Sequence, residues 1–153
     1  MRRLGAVAVF VGLIGVLVAP PSWAGASTQT LTVKNATATF PTPNPCSGAP
    51  GHVTITYNAV MHVTALDSGG YHETDTTEGT FAFVPNDPSK PSYAGHFMQW
   101  EGVNLNSRST AFTATGSIVG KGSDGSRLVV HEVEHLTGTT KGIVVHFDRP
   151  RCS

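Results

Sequence analysis

Residues 51–66 read GHVTITYNAVMHVTAL. Val53, Ile55, Tyr57, Ala59, Met61, Val63 and Ala65 alternate there with His52, Thr54, Thr56, Asn58, Val60, His62 and Thr64. Successive side chains of an extended chain point to opposite faces, so alternation over this length predicts a strand with one buried and one wet face. No long window elsewhere repeats with a 3.6-residue period. From Thr28 onward the chain is rich in Thr, Val, Phe and Tyr and is punctuated by Gly, Pro, Asn and Asp. The composition is all-β.

Turn signals after this strand divide the chain. They are Ser68-Gly69-Gly70, PNDPSKPS at 85–92, Asn104 to Ser107, Ser123-Asp124-Gly125 and GTTKG at 138–142. Between them about seven strands are predicted: Gln29–Phe40, His52–Leu66, Tyr71–Val84, Ser92–Glu101, Arg108–Lys121, Ser126–Thr137 and Ile143–Arg149. Short connections make successive strands antiparallel neighbours, which is a meander. A twisted sheet of this many strands must curl or split to bury its apolar face. The expectation is an all-β antiparallel meander closing into a small β-barrel, with a β-sandwich as the alternative.

The N-terminus has two arginines, an apolar run from Leu4 to Ala19, a Pro-Pro break and the small residues Ala24-Gly25-Ala26. This layout predicts a secretory signal peptide over 1–26 and a single secreted domain over 27–153. The apolar run is shorter than the roughly 20 residues that span a bilayer. Cleavage leaves 127 residues, one domain's worth, and removes Arg2 and Arg3. Eight basic residues then face ten acidic ones, a net charge of −2 with neutral histidines. That balance offers nothing to nucleic acid or, once the leader is gone, to a membrane surface.

Cys46 and Cys152 are the two cysteines, and in an oxidising compartment they are expected to pair. The bridge would join the two ends of the meander, as barrel closure requires. Closing a loop of about a hundred residues stabilises by roughly 4–5 kcal/mol at most.

His131-Glu132-Val133-Glu134-His135 spells the H-E-x-x-H of zinc metalloproteases. That chemistry needs a helix, on which the two histidines lie on one face and reach one zinc. Here the segment is bounded by Asp124-Gly125 and Gly138 and carries the β-branched Val129, Val130 and Val133. On a strand the two histidines stand roughly 13 Å apart and the glutamates point to the other face. The strand reading therefore excludes the protease, and no metal or cofactor is expected.

The following strand carries IVVHFDR, residues 143–149. An even hairpin loop would put His131, His135, His146 and Asp148 on one face. An odd loop would put His146 and Asp148 beside Glu132 and Glu134 instead. Either register crowds ionisable groups on one surface, within reach of a His–carboxylate pair. The ordinary alternative is that the seven histidines are solvent-facing members of cross-strand pairs. Trp100, the one tryptophan after the leader, alternates in phase with Ala94, His96 and Met98, against Tyr93, Gly95, Phe97 and Gln99. It is either a core plug or part of a binding face. The chain has no G-x-S-x-G elbow.

The stretches NPCSGAPG, GTFAFVPNDPSKPSYAGHF, GSDGSRLVVHEVEHLT and FDRPRC together resemble small secreted β-rich proteins of high-GC Gram-positive bacteria. The resemblance runs from Cys46 to Cys152 and implies no function. The spacing of Trp100, Asn106 and Arg108 is similar to that in avidin-like barrels, without assignable ligand positions. The function expected from the residues is a non-enzymatic module binding a small molecule or a protein through Trp100, His131, His135, His146, Asp148, Glu132 and Glu134. An acid–base or metal-dependent enzyme on the last hairpin and a structural surface protein are the alternatives.

Overall fold

A computed structural model describes residues 26–148 and 151–152; the expected leader, apart from Ala26, lies outside the described residues. The strands are β1 (Ser27–Pro43), β2 (Pro50–Ala65), β3 (Tyr71–Pro85), β4 (Tyr93–Leu105), β5 (Ser109–Gly122), β6 (Arg127–Thr139), β7 (Gly142–Asp148) and the short β8 (Arg151–Cys152). They form one sheet in the order β1-β2-β3-β4-β5-β6-β7, antiparallel throughout, with β8 pairing on β6 beyond β7. All seven predicted strands are present. The alternation of 51–66 lies on β2, with Val53, Ile55 and Tyr57 on the more buried face.

Turn chemistry matches the breaks. Gly69, Gly125 and Gly142 all have positive φ, which costs glycine nothing. In the β1–β2 turn the buried Asn44 accepts the amides of Cys46 and Ser47 on Oδ1, at 3.0 and 2.9 Å. Asn106 does the same for Arg108 and Ser109 between β4 and β5. The Asn106–Arg108 spacing is thereby accounted for as a turn.

Opposite residues of an antiparallel pair share a face, so the register fixes what lies together. One row runs Val53, Phe83, Tyr93, Gly122; the next runs Ile55, Phe81, Gly95, Gly120, Leu128; a third runs Tyr57, Gly79, Phe97, Ile118, Val130. Val53, Phe81, Phe83, Leu128 and Val130 are buried as one cluster, with Phe40, Ile55, Tyr93, Phe97 and Ile118 against it. In a flat sheet β2 and β6 would stand about 19 Å apart, four strand spacings. Their contact in one core requires the sheet to coil.

Glycines on the inner face permit this. A Cβ at Gly95 would meet the Val119 carbonyl, and one at Gly120 would enter the Phe81 ring. The ring covers the backbone that the missing side chain leaves bare.

Cys46 and Cys152 are bonded, with Cα atoms 5.7 Å apart, so the first hairpin is fastened to the last strand. The expected closed barrel is not found. Among the described residues β1 pairs only with β2 and β7 only with β6, so the hydrogen-bonded path has two open ends. The coiled sheet folds its inner face on itself as the sandwich alternative does. A disulfide supplies covalently, at one end, the closure that strand pairing does not make. On the β1 edge a bulge at Lys34-Asn35 interrupts the ladder, and Asn35 donates its amide to Asn58 Oδ1. Such a bulge blunts an exposed edge. No helix of the described residues is long and apolar enough to cross a membrane.

Candidate functional site

The histidines and glutamates of residues 131–135 lie on β6, extended. His131 stands opposite Ser117 and Arg151, and His135 opposite Thr113, all on the outer face; Glu132 and Glu134 stand opposite Gly116 and Ala114 on the inner face. His135 bonds Thr113 Oγ1 through Nδ1 at 2.7 Å and Thr137 Oγ1 through Nε2 at 3.1 Å. His62 pairs with Thr30, and His72 with Asn104. These are cross-strand polar partners on the wet face, the ordinary reading of the histidines. Among the described residues no three of His, Cys, Asp and Glu are placed to hold a metal ion.

The β6–β7 hairpin has the two-residue loop Thr140-Lys141, which alone would put His146 and Asp148 with His131 and His135. A bulge reverses this. Gly138 faces Ile143 but Thr137 faces Val145, so Val144 is the extra residue and every later position changes side. Leu136 then faces His146, and Glu134 faces Asp148. Of the two expected registers the second is found, and the shared face of His131, His135, His146 and Asp148 is not formed. His146 Nε2 lies 3.5 Å from Glu134 Oε1. Asp148 is placed by its backbone register alone, its side chain lying outside what is described.

His146 and Glu134 belong to a larger constellation. Beyond the apolar rows the inner face continues as Thr77, Gln99, Gly116, Glu132, then Asp75, Glu101, Ala114, Glu134, then Glu73, Val103, Phe112, Leu136. The inner face therefore has an apolar half and an acidic half. Asp75 and Glu101 are directly opposite, with Glu73 diagonal and Glu134 one position beyond Ala114. Tyr71 donates its hydroxyl to Glu73, Gln99 donates its amide to Glu101, and Thr77 donates to Asp75 at 2.9 Å. Glu134 Oε2 is shielded from solvent and accepts no hydrogen bond. Among the described residues no Lys or Arg occupies a strand position on this half of the face.

Burial and the neighbouring charge of Asp75 hold Glu101 well above the usual carboxylate range, at about 7, against the lowering effect of the Gln99 hydrogen bond; Glu73 and Glu134 push the same way as Asp75. Burial, then the hydrogen bond to and charge of Glu73, raise the Tyr71 hydroxyl to about 12. A half-buried carboxyl poised near neutrality beside ionisable carboxylates can exchange a proton at physiological pH or receive a cation.

Sequence reading found Glu132, Glu134, His146 and Asp148 but missed Glu73, Asp75 and Glu101. Their signal is phase: Tyr71, Glu73, Asp75, Thr77, Gly79, Phe81 and Phe83 are one alternating set. The buried rings at its end carry the carboxylates inward.

Trp100 is 38 % exposed on the outer face, its ring lying over Gly102, in the row Val60, Thr76, Trp100, Thr115, Val133. It is neither a core plug nor part of the acidic face.

Compared with known protein families, curated proteins and solved structures, the chain matches none.

Proposed function

We propose that this chain is a secreted, non-enzymatic binding module whose ligand carries an amine or guanidinium group and seats on the acidic half of the inner face. The leader-like N-terminus and the Cys46–Cys152 bond support export. The reading is carried by Glu73, Asp75, Glu101 and Glu134 gathering on one face without a Lys or Arg at a strand position among those described. Like charges placed opposite one another destabilise a sheet, and partial burial adds a desolvation cost. A cationic ligand offsets both. The Trp100 row, His131 and His135 lie on the opposite face and are not part of this site.

Calorimetric titration with agmatine and spermidine at low ionic strength tests the reading. Affinity should rise from pH 6 to pH 8 as Glu101, near 7, ionises. Glu101→Gln and Glu134→Gln should each weaken it by about tenfold, the loss of one charge-assisted bond. Absence of heat and of any melting shift with both amines at both pH values refutes the proposal and leaves the enzyme and the structural surface protein.

One observation favours a second reading, the acid–base enzyme. A carboxyl held near neutrality directly opposite a second carboxyl is the arrangement in which paired acids divide the roles of proton donor and base. Glu101 and Asp75 would then carry the chemistry expected of the last hairpin, with His146 and Glu134 beside them. Its signature is hydrolysis whose rate falls above pH 7 and is lost in Glu101→Gln.

A further inference from the structure

On the outer face, at the far end of the sheet from the carboxylates, Lys121 of β5 stands directly opposite Arg127 of β6. Both are exposed. Elsewhere on this face several opposed polar residues bond each other, as Thr39 does Thr54 and Thr113 does His135. Here two cations face one another, an arrangement that destabilises a sheet unless something sits between them. Among the described residues neither forms an ion pair. The nearest acidic residue in sequence, Asp124, is tied into its own turn, where Oδ1 accepts from the Ser126 amide at 2.9 Å and hydroxyl at 2.5 Å; it is these bonds that lower its carboxyl.

The pair borders a groove of about 430 Å³ lined also by Ala94, Gly95, Gly120 and Gly125. Ala94 stands opposite Lys121, and Ala82 opposite Ala94, so beside the two cations the face is floored by methyl groups and backbone. The groove is shallow and open to solvent, so a ligand there would be held mainly by its charged head group. Stems rooted about 5 Å apart let an ammonium and a guanidinium meet on one group. The guanidinium brings a planar fork that matches two oxygens of an oxyanion, and the ammonium brings a point charge.

We propose that this groove is an oxyanion site, holding the phosphate, sulfate or carboxylate of a small organic ligand between Lys121 and Arg127. It is independent of the inner face, from which the sheet separates it, so either site can fail without the other.

The test uses the whole mature protein at low ionic strength, titrated separately with phenyl phosphate, phenyl sulfate and benzoate and followed by amide NMR. The amides of Gly95, Gly120 and Gly125 should shift with at least one probe, the tightest naming the head group. The Lys121→Gln/Arg127→Gln double variant should bind it at least about tenfold more weakly. Because removal of a like-charged pair relieves repulsion, the unliganded double variant should melt no lower than wild type. Glu101→Gln should leave this binding unchanged. The proposal is overturned by silence with all three probes at millimolar concentration, or by binding that survives in the double variant.

Discussion

Glu101→Gln isolates the energetic strain of the acidic face. In the unfolded chain the carboxyl titrates near 4.5, and in the folded protein near 7. The folded state therefore holds this proton more tightly. The stabilisation is complete below pH 4.5 and is lost as pH rises through 7. The full difference corresponds to about 3.4 kcal/mol at about 1.36 kcal/mol per pH unit. Because the side chain is only half-buried, solvent screening reduces this to about 1–2 kcal/mol. Glutamine keeps the carbonyl that accepts from Gln99 and removes the charge. Urea unfolding followed by Trp100 fluorescence should show wild type losing about 1–2 kcal/mol more than the variant between pH 4.5 and 8. At pH 8 the variant should melt higher by several degrees, about 3–6 °C per kcal/mol for a domain of this size. The comparison cancels contributions common to both proteins, such as the lowered carboxyls of Asp87 and Asp124. Parallel pH profiles for the two proteins refute the argument that burial and Asp75 press on Glu101.

Reduction of the disulfide, or Cys152→Ser, opens a loop of 106 residues and should cost up to about 4–5 kcal/mol in denaturant; unchanged stability would mean that strand pairing alone holds the coil. Phe81→Ala removes a ring from the centre of the core and bares Gly120, and should cost about 3–5 kcal/mol by thermal or urea unfolding. Asn44→Ala leaves the Cys46 and Ser47 amides without their acceptor; a loss of about 1–3 kcal/mol is expected. His131→Ala, at an exposed position, should stay within about 0.5 kcal/mol of wild type, with zinc shifting the melting of neither protein; a zinc-dependent rise confined to wild type would contradict the strand geometry.

The strands were legible because each element agrees locally with its place. Alternation in 51–66, glycine at the turn positions 69 and 125, and asparagine at 106 all specify backbone geometry within a few residues. The extended form of 127–139 followed from β-branched valines between two turns, which is why the metalloprotease spelling was separable from its chemistry. Closure was not legible. Whether β1 meets β7 depends on the coil accumulated over seven strands and on glycines such as Gly95 and Gly120, whose effect is felt across the sheet and not in sequence neighbours. The cysteines fixed which ends meet but not whether hydrogen bonds follow.

The site depended on a single residue that no pattern marks. With a two-residue loop and an unbroken ladder, His146 and Asp148 would have joined His131 and His135 on the wet face, where water would satisfy them singly. Insertion of Val144 into the ladder shifts their register positions to the inner face, since a side-chain period of two converts a slip of one residue into a change of face. His146 is thereby brought to Glu134, the one cationisable strand side chain described on the acidic half. A charged residue in a strand is ordinarily read as solvent-facing, and that expectation hid Glu73, Asp75 and Glu101, although each keeps phase with a buried or half-buried ring of the core. Charge and phase disagreed at three positions on adjacent strands, and phase prevailed because reversing any one of them would also have exposed Phe81, Phe83 or Phe97. The carboxylates are held inward by the core at the other end of their own strands, so the acidic face persists without being locally favourable.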